Sequence, residues 1–263
     1  MKRLFIITIA IACVLSASAW KPIFIGHRGC YIGVMNTVSS FKNGVDAFGY
    51  QGLECDVRVT SDGHYVISHD ETTNAVGGNL TVANSTLAQL QAETYTQTRG
   101  GVAYTGKICT VAEYLDICKE KDVIPVVELK WATGINNNDM SNFTGLAALI
   151  EEKGLTSKVI ILTSMRRSLE YVRTNYPDLK CQFLCNSNWA THFDWIVQWG
   201  VMPSIQAGCL DKETVKKFHE KGLEVAVWTV NSLANYELYG EMGVAMITCD
   251  YLMPYEMPEL ANN

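Results

Sequence analysis

Beyond its first fifteen residues, the 263-residue chain has no apolar run long enough to span a bilayer. It has no Gly-rich dinucleotide fingerprint after its first strand candidate, which counts against a cofactor-binding doubly wound sheet. A Gly-rich phosphate loop and a Ser/His/Asp elbow are missing too, removing two common routes to phosphoryl and acyl transfer. No cysteine pair has zinc-ligand spacing, since Cys181 and Cys185 lack His or Cys companions at suitable intervals. Positive charge is scarce: 21 Lys and Arg face 27 Asp and Glu. An acidic chain is a poor partner for nucleic acid or anionic membrane, so a phosphate-bearing small molecule would need a local cluster of cations.

The N-terminus reads as an export signal. Lys2 and Arg3 give a basic start, Leu4 to Leu15 an apolar middle, and Ala17-Ser18-Ala19 a small-residue cleavage site. Residues 1–19 are thus expected to be removed, delivering a protein without a membrane segment to a periplasm or the extracellular space. Loss of Lys2 and Arg3 leaves 19 basic residues against 27 acidic ones, a charge of −8. Cys13 would leave with the signal, and eight cysteines would remain. Some of these could pair in an oxidising compartment, whereas Cys55, Cys109, Cys118 and Cys249 lie in apolar-periodic segments and read as small buried hydrophobes.

Residues 20–263 read as one α/β domain of the size of a single barrel. Strands are predicted at Ile23–Gly26, Gly52–Thr60, Tyr65–Ser68, Ile124–Lys130, Val159–Thr163, Gln182–Cys185, Pro203–Gln206, Glu224–Val230 and Ala245–Thr248. Amphipathic helical stretches alternate with them, and near-continuous apolar strands such as Val159-Ile-Ile-Leu162 suit a parallel sheet buried on both faces. Counting Gly52–Ser68 as one barrel strand with a hairpin extension gives about eight βα units, hence a (β/α)8 barrel. Residues 71–107 break the rhythm with Thr, Asn, Gly and Ala and one helical turn near Thr86–Leu90. This insertion would either wall a substrate cleft or be a decoration without a role.

Within this frame, Glu54 and Asp56 sit two apart in an apolar strand, so both carboxylates face the same way. Like charges so placed repel unless a cation lies between them. Asp62-Gly63 turns the chain, and the returning strand ends at His69-Asp70. Barrel enzymes carry their sites at the C-terminal strand ends. Those ends supply His27 and Arg28, Glu54 and Asp56, His69, Glu128 and Lys130, Trp228 and Asn231, and Asp250. Carboxylates for a hard cation, cations for a phosphate and two histidines for proton transfer together describe cleavage of a phosphoryl ester. His64, His192 and His219 read as surface or packing residues. Asp70 could orient His69 or cap a loop, and Asp250 is open between loop cap and site residue.

Gly26-His-Arg-Gly29, Asn36-Thr37 with Phe41, the spaced run from Glu54 to Asp70, Glu128-Leu-Lys130 and Trp228-Thr-Val-Asn231 resemble the glycerophosphodiester phosphodiesterase family. The resemblance implies a TIM barrel with a small insertion after its second strand. It also implies hydrolysis of glycerophosphodiesters to glycerol 3-phosphate and an alcohol, with a divalent metal, Ca²⁺ or Mg²⁺. On that pattern His27 and His69 are the acid/base pair, and Glu54, Asp56 and Glu128 the metal ligands. Arg28 and Lys130 would hold the phosphate, and Trp228 would form an apolar wall. The attacking oxygen is left open between water and the substrate's own glycerol hydroxyl. The chain departs from the pattern at Met35, where the family usually has Glu before Asn-Thr. The alternatives are a phospholipase or phosphodiester lyase releasing a cyclic phosphate, and a non-catalytic phosphodiester-binding barrel.

Overall fold

The computed structural model of the protein describes residues 21–253; the expected export signal lies outside the described residues. In chain order the elements are β1 (Ile23–Gly26), α1 (Val38–Asp46), β2 (Gly52–Val59), β3 (Tyr65–Ile67), α2 (Leu87–Ala92), β4 (Tyr95–Arg99), β5 (Val102–Gly106), β6 (Cys109–Thr110) and α3 (Val111–Glu120). They continue with β7 (Ile124–Leu129), α4 (Phe143–Glu152), β8 (Ile160–Thr163), α5 (Arg166–Asn175), β9 (Lys180–Cys185), α6 (Trp189–Trp199), β10 (Met202–Gln206), α7 (Lys212–His219), β11 (Ala226–Trp228), α8 (Leu233–Glu241) and β12 (Met246–Cys249).

β1, β2 and β7 to β12 pair side by side, all parallel, and β1 closes the ring by pairing with both β2 and β12. This is a TIM barrel. Strand alternation divides its apolar residues into two populations. Leu53, Cys55, Val57, Val127, Ile161, Phe183, Ile205, Val227 and Ile247 belong to the large core between sheet and helices. Ile25, Val126, Ile160, Leu162, Ala226 and Met246 form a separate cluster that fills the barrel's inside. Two-residue steps along that inner row lead from Ile25 to His27, and from Val126 through Glu128 to Lys130. The inner face is therefore apolar at one end and ionisable at the other.

Local chemistry starts the helices. Thr110 caps α3: its hydroxyl accepts from Glu113 N at 3.2 Å, while Glu113 Oε2 accepts from Thr110 N at 2.8 Å. One turn later, Tyr114 reaches the sheet, its hydroxyl donating to Leu53 O at 2.6 Å and accepting from Val126 N at 3.0 Å. Tyr114 is fully buried. Tyr114→Phe would leave both backbone groups without this partner, so a loss of about 1–3 kcal/mol in denaturant-unfolding free energy is expected. No measurable loss would show that water or backbone replaces the hydroxyl.

The insertion is more structured than one helical turn. Besides α2 it contains the antiparallel β4–β5 hairpin, turned by Gly100 (φ +57°) and Gly101 (φ +80°). Two successive positive φ angles suit the two-residue turn that matches strand twist, and glycine adopts them without a Cβ clash. β6 pairs antiparallel with β3, itself antiparallel to β2. Val34, Val66, Val76, Val82, Leu90, Tyr95 and Ile108 give this region its own small core. The eight described cysteines from Cys30 to Cys249 are all free, and all but Cys209 are buried. No helix among the described residues is long and apolar enough to cross a membrane.

Candidate active site

The inner-face carboxylates converge. Glu54, Asp56 and Glu128 each offer an oxygen, and these lie within 4.8 Å of one another. β2 and β7 run parallel with Asp56 opposite Glu128, so the pairing register itself brings the two acids together. Lys130 Nζ bridges them, 3.0 Å from Asp56 Oδ1 and 2.8 Å from Glu128 Oε1. Arg28 approaches from β1: its backbone N–H donates to Glu54 Oε2 at 2.9 Å, and its Nε lies 3.5 Å from Asp56 Oδ2. Asn36 Nδ2 donates to the same Asp56 oxygen at 2.7 Å.

Electrostatics separates the three acids. Burial would raise the Asp56 carboxyl, but the Lys130 and Arg28 charges and the Asn36 amide hold it below its ordinary value. Glu54 is pushed up to about 8, by burial first and the Asp56 charge second. Glu128 is raised by the same two causes, with Lys130 offsetting part of the shift. Glu54 Oε1 is buried without a hydrogen-bond partner among the described residues. An orphaned oxygen beside two further carboxylates fits a hard divalent cation, which favours oxygen donors and can accommodate other ligands at open positions.

The histidines flank this cluster, each with a carboxylate behind it. His27 Nδ1 lies 2.7 Å from Asp250 Oδ1, and Asp250 Oδ2 accepts from Asn231 Nδ2 at 2.7 Å. His69 Nδ1 lies 2.7 Å from Asp70 Oδ1. Their titrations are driven apart. Burial works to lower His27, but the Asp250 hydrogen bond and Glu54 charge outweigh it and raise the value. Burial lowers His69, with Lys130 and Arg28 adding to that effect against the Asp56 charge.

Trp228 stands on the same rim, its Nε1 donating to Ser204 O at 3.1 Å. Met35 lies against Arg28, with its sulfur 3.6 Å from Nη1, and its backbone N–H donates to Gln97 Oε1 on the insertion hairpin at 3.1 Å. A narrow cleft of about 20 Å³ beside His69 is lined by Met35, Ile67, Asp70, Thr72, Val76 and Tyr95 among others. The insertion therefore walls a cleft at the site. Asp250, open between two readings from sequence, belongs to the His27 side of the rim. Its position after the last strand was the available signal, and ring closure supplied its partner.

Imidazoles with opposed titrations, beside acids and cations grouped on a barrel rim, suit proton transfer around a phosphoryl centre. That arrangement is one that suits a phosphoric diester hydrolase. Residues 26–253 match the model of the Glycerophosphoryl diester phosphodiesterase family, and the chain belongs to that family. A relative from Caldanaerobacter subterraneus subsp. tengcongensis, named glycerophosphodiester phosphodiesterase, is 26% identical over 247 residues, covering 88% of this chain and 94% of the relative. Two solved structures share the fold. An Oleispira antarctica phosphodiesterase in complex with the product sn-glycerol-3-phosphate aligns with TM-score 0.77 and 17% identity, covering 92% of this chain and 98% of its own. A Parabacteroides distasonis glycerophosphodiester phosphodiesterase aligns with TM-score 0.72 and 19% identity, covering 92% and 97%.

Proposed function

We propose that this enzyme hydrolyses glycerophosphodiesters to glycerol 3-phosphate and an alcohol with a divalent cation, Ca²⁺ or Mg²⁺, and that it is exported after loss of residues 1–19. The observation that carries the reaction is the buried Glu54–Asp56–Glu128 cluster flanked by two carboxylate-backed histidines. The name of the Caldanaerobacter relative and the product in the Oleispira complex support a glycerol phosphate substrate. Export rests on the basic, apolar and small-residue pattern of the N-terminus.

Glu54, Asp56 and Glu128 would hold the cation, which when bound would supply charge neutralisation at the phosphoryl oxygens and lower the pKa of the attacking water or glycerol hydroxyl. Arg28 and Lys130 orient the nonbridging oxygens. His69, held below its ordinary value, is neutral near pH 7 and takes the proton of the attacking oxygen, whether water or the glycerol hydroxyl. His27, held above its ordinary value, keeps a proton for the leaving alcohol. With Nδ1 turned toward Asp250, its Nε2 is the atom available to the substrate. Trp228 closes one side of the site with an apolar face.

Turnover of the choline, ethanolamine, inositol and glycerol glycerophosphodiesters, followed by phosphorus NMR, tests this reading. Chelation should abolish release of glycerol 3-phosphate, and added Ca²⁺ or Mg²⁺ should restore it. Rates indifferent to effective chelation would contradict the metal role, and a cyclic phosphate as sole end product would make the enzyme a lyase. No turnover of any substrate would favour a binding barrel. N-terminal mass analysis of protein from the exported fraction should give a chain beginning at Trp20.

A further inference from the structure

Arg58 is the most completely engaged cation near the site, yet it touches none of the site's carboxylates. It is only 9% exposed and makes no ion pair among the described residues. Its three nitrogens instead reach backbone carbonyls: Nε to Ser68 O at 3.2 Å and His69 O at 3.3 Å, Nη2 to His69 O at 2.8 Å, and Nη1 to Trp131 O at 3.2 Å. β2 lies between β3 and β7 in the sheet, so a side chain at its C-terminal end can bridge the segments that follow both neighbours. One of those segments carries His69. The other begins directly after Lys130.

The two histidines differ in what holds them. His27 is oriented by Asp250, a residue from the far end of the chain. Among the described residues the His69 ring has its side-chain hydrogen bond with Asp70, its neighbour in sequence, whose side chain is 48% exposed. A His–Asp pair on adjacent residues moves as one unit, so the direction of the imidazole depends on the backbone beneath it. Arg58 holds that backbone. A planar guanidinium spans several carbonyls in a fixed fork, which a lysine ammonium on a flexible stem does not reproduce.

We infer that Arg58 is a positioning residue, clamping the His69 segment against the Lys130–Trp131 segment so that the imidazole faces the phosphoryl centre. This rests on the proton-transfer role given to His69 above. Misplacing a reacting group by about 1 Å can cost 10²-fold in rate without loss of substrate binding. Arg58 also lines a cavity of about 250 Å³ shared with Glu71, Trp131 and Asn136. Truncating its side chain would enlarge that cavity and leave a place for a small guanidinium ion.

The test compares Arg58→Lys, Arg58→Ala and His69→Ala in the full chain, with folding followed by circular dichroism. Folded Arg58→Lys should lose roughly 100-fold in kcat while KM changes by less than about twofold. Methylguanidinium should restore part of the kcat of Arg58→Ala and none of that of His69→Ala. A folded Arg58→Lys with kcat within about twofold of the unmodified enzyme, while His69→Ala is inactive, would overturn the positioning role alone. So would failure of both Arg58 variants to fold, which would make the clamp a fold element, or absence of methylguanidinium rescue. Full activity in His69→Ala would instead remove the catalytic reading on which the clamp depends.

Discussion

His69→Ala is expected to lower kcat by roughly 10²–10⁴-fold, and His27→Ala by a similar factor, with the fold intact. Neither ring is part of the core: the side chains are 33% and 24% exposed. The roles should be separable by pH. His69 must be neutral to take a proton, so kcat/KM should rise with pH through a value below the ordinary 6.5. His27 must be protonated to donate, so kcat/KM should fall through a value above 6.5. Asp250→Asn removes the carboxylate that supports the His27 imidazolium, and its alkaline limb should move toward lower pH while the acid limb stays in place. A profile unchanged by Asp250→Asn would mean that His27 is not the titrating acid. Near-complete activity in both alanine variants would remove the proton-transfer mechanism.

The carboxylate cluster should couple cation binding to stability in a pH-dependent way. In the metal-free protein, burial and the Asp56 charge raise Glu54 from 4.5 to about 8. A raised folded value means that the native state holds its proton more tightly than the unfolded chain. Glu54 therefore contributes stability that is fully present below about 4.5, declines as pH rises and is gone above about 8. Glu128, raised for the same reasons, acts in the same direction. Asp56 has the opposite sign, but its lowered value puts its transition at more acid pH. A divalent cation binds the ionised carboxylates, so its addition should raise Tm little near pH 5 and strongly above about pH 8. Glu54→Gln should flatten the metal-free decline and remove most of the cation-induced rise. An equal rise in Tm at both pH values would show that the cation binds elsewhere.

Much of the barrel was legible because its strands are buried on both faces. Such strands carry runs of β-branched and aliphatic residues, as in Ile160-Ile161-Leu162 of β8, and the expected Ile23–Gly26 coincides with the observed β1. At β11 the expectation of Glu224–Val230 was too long, since regular pairing covers only Ala226–Trp228. The β4–β5 hairpin and β6 were missed for the opposite reason. Tyr95-Thr-Gln-Thr-Arg99 buries only Tyr95, so it lacks the apolar alternation that marks a half-buried strand. Gly100-Gly101 was the turn signal that could have exposed the hairpin.

The sequence by itself determined that Glu54 and Asp56 share a face, that Glu128 and Lys130 do likewise, and that histidines stand at strand ends. Those statements follow from a two-residue alternation set by the local backbone. Only the tertiary structure decided the partners. Asp250 meets His27 across 223 residues because β1 pairs with β12 and closes the ring. Lys130 lies between Asp56 and Glu128 because the β2–β7 register places those acids side by side. Met35 meets both Arg28 and Gln97, and Arg58 reaches from His69 to Trp131, through segments that no local period relates. Alternation assigns a side chain to a face, whereas ring closure and strand register choose which face it meets.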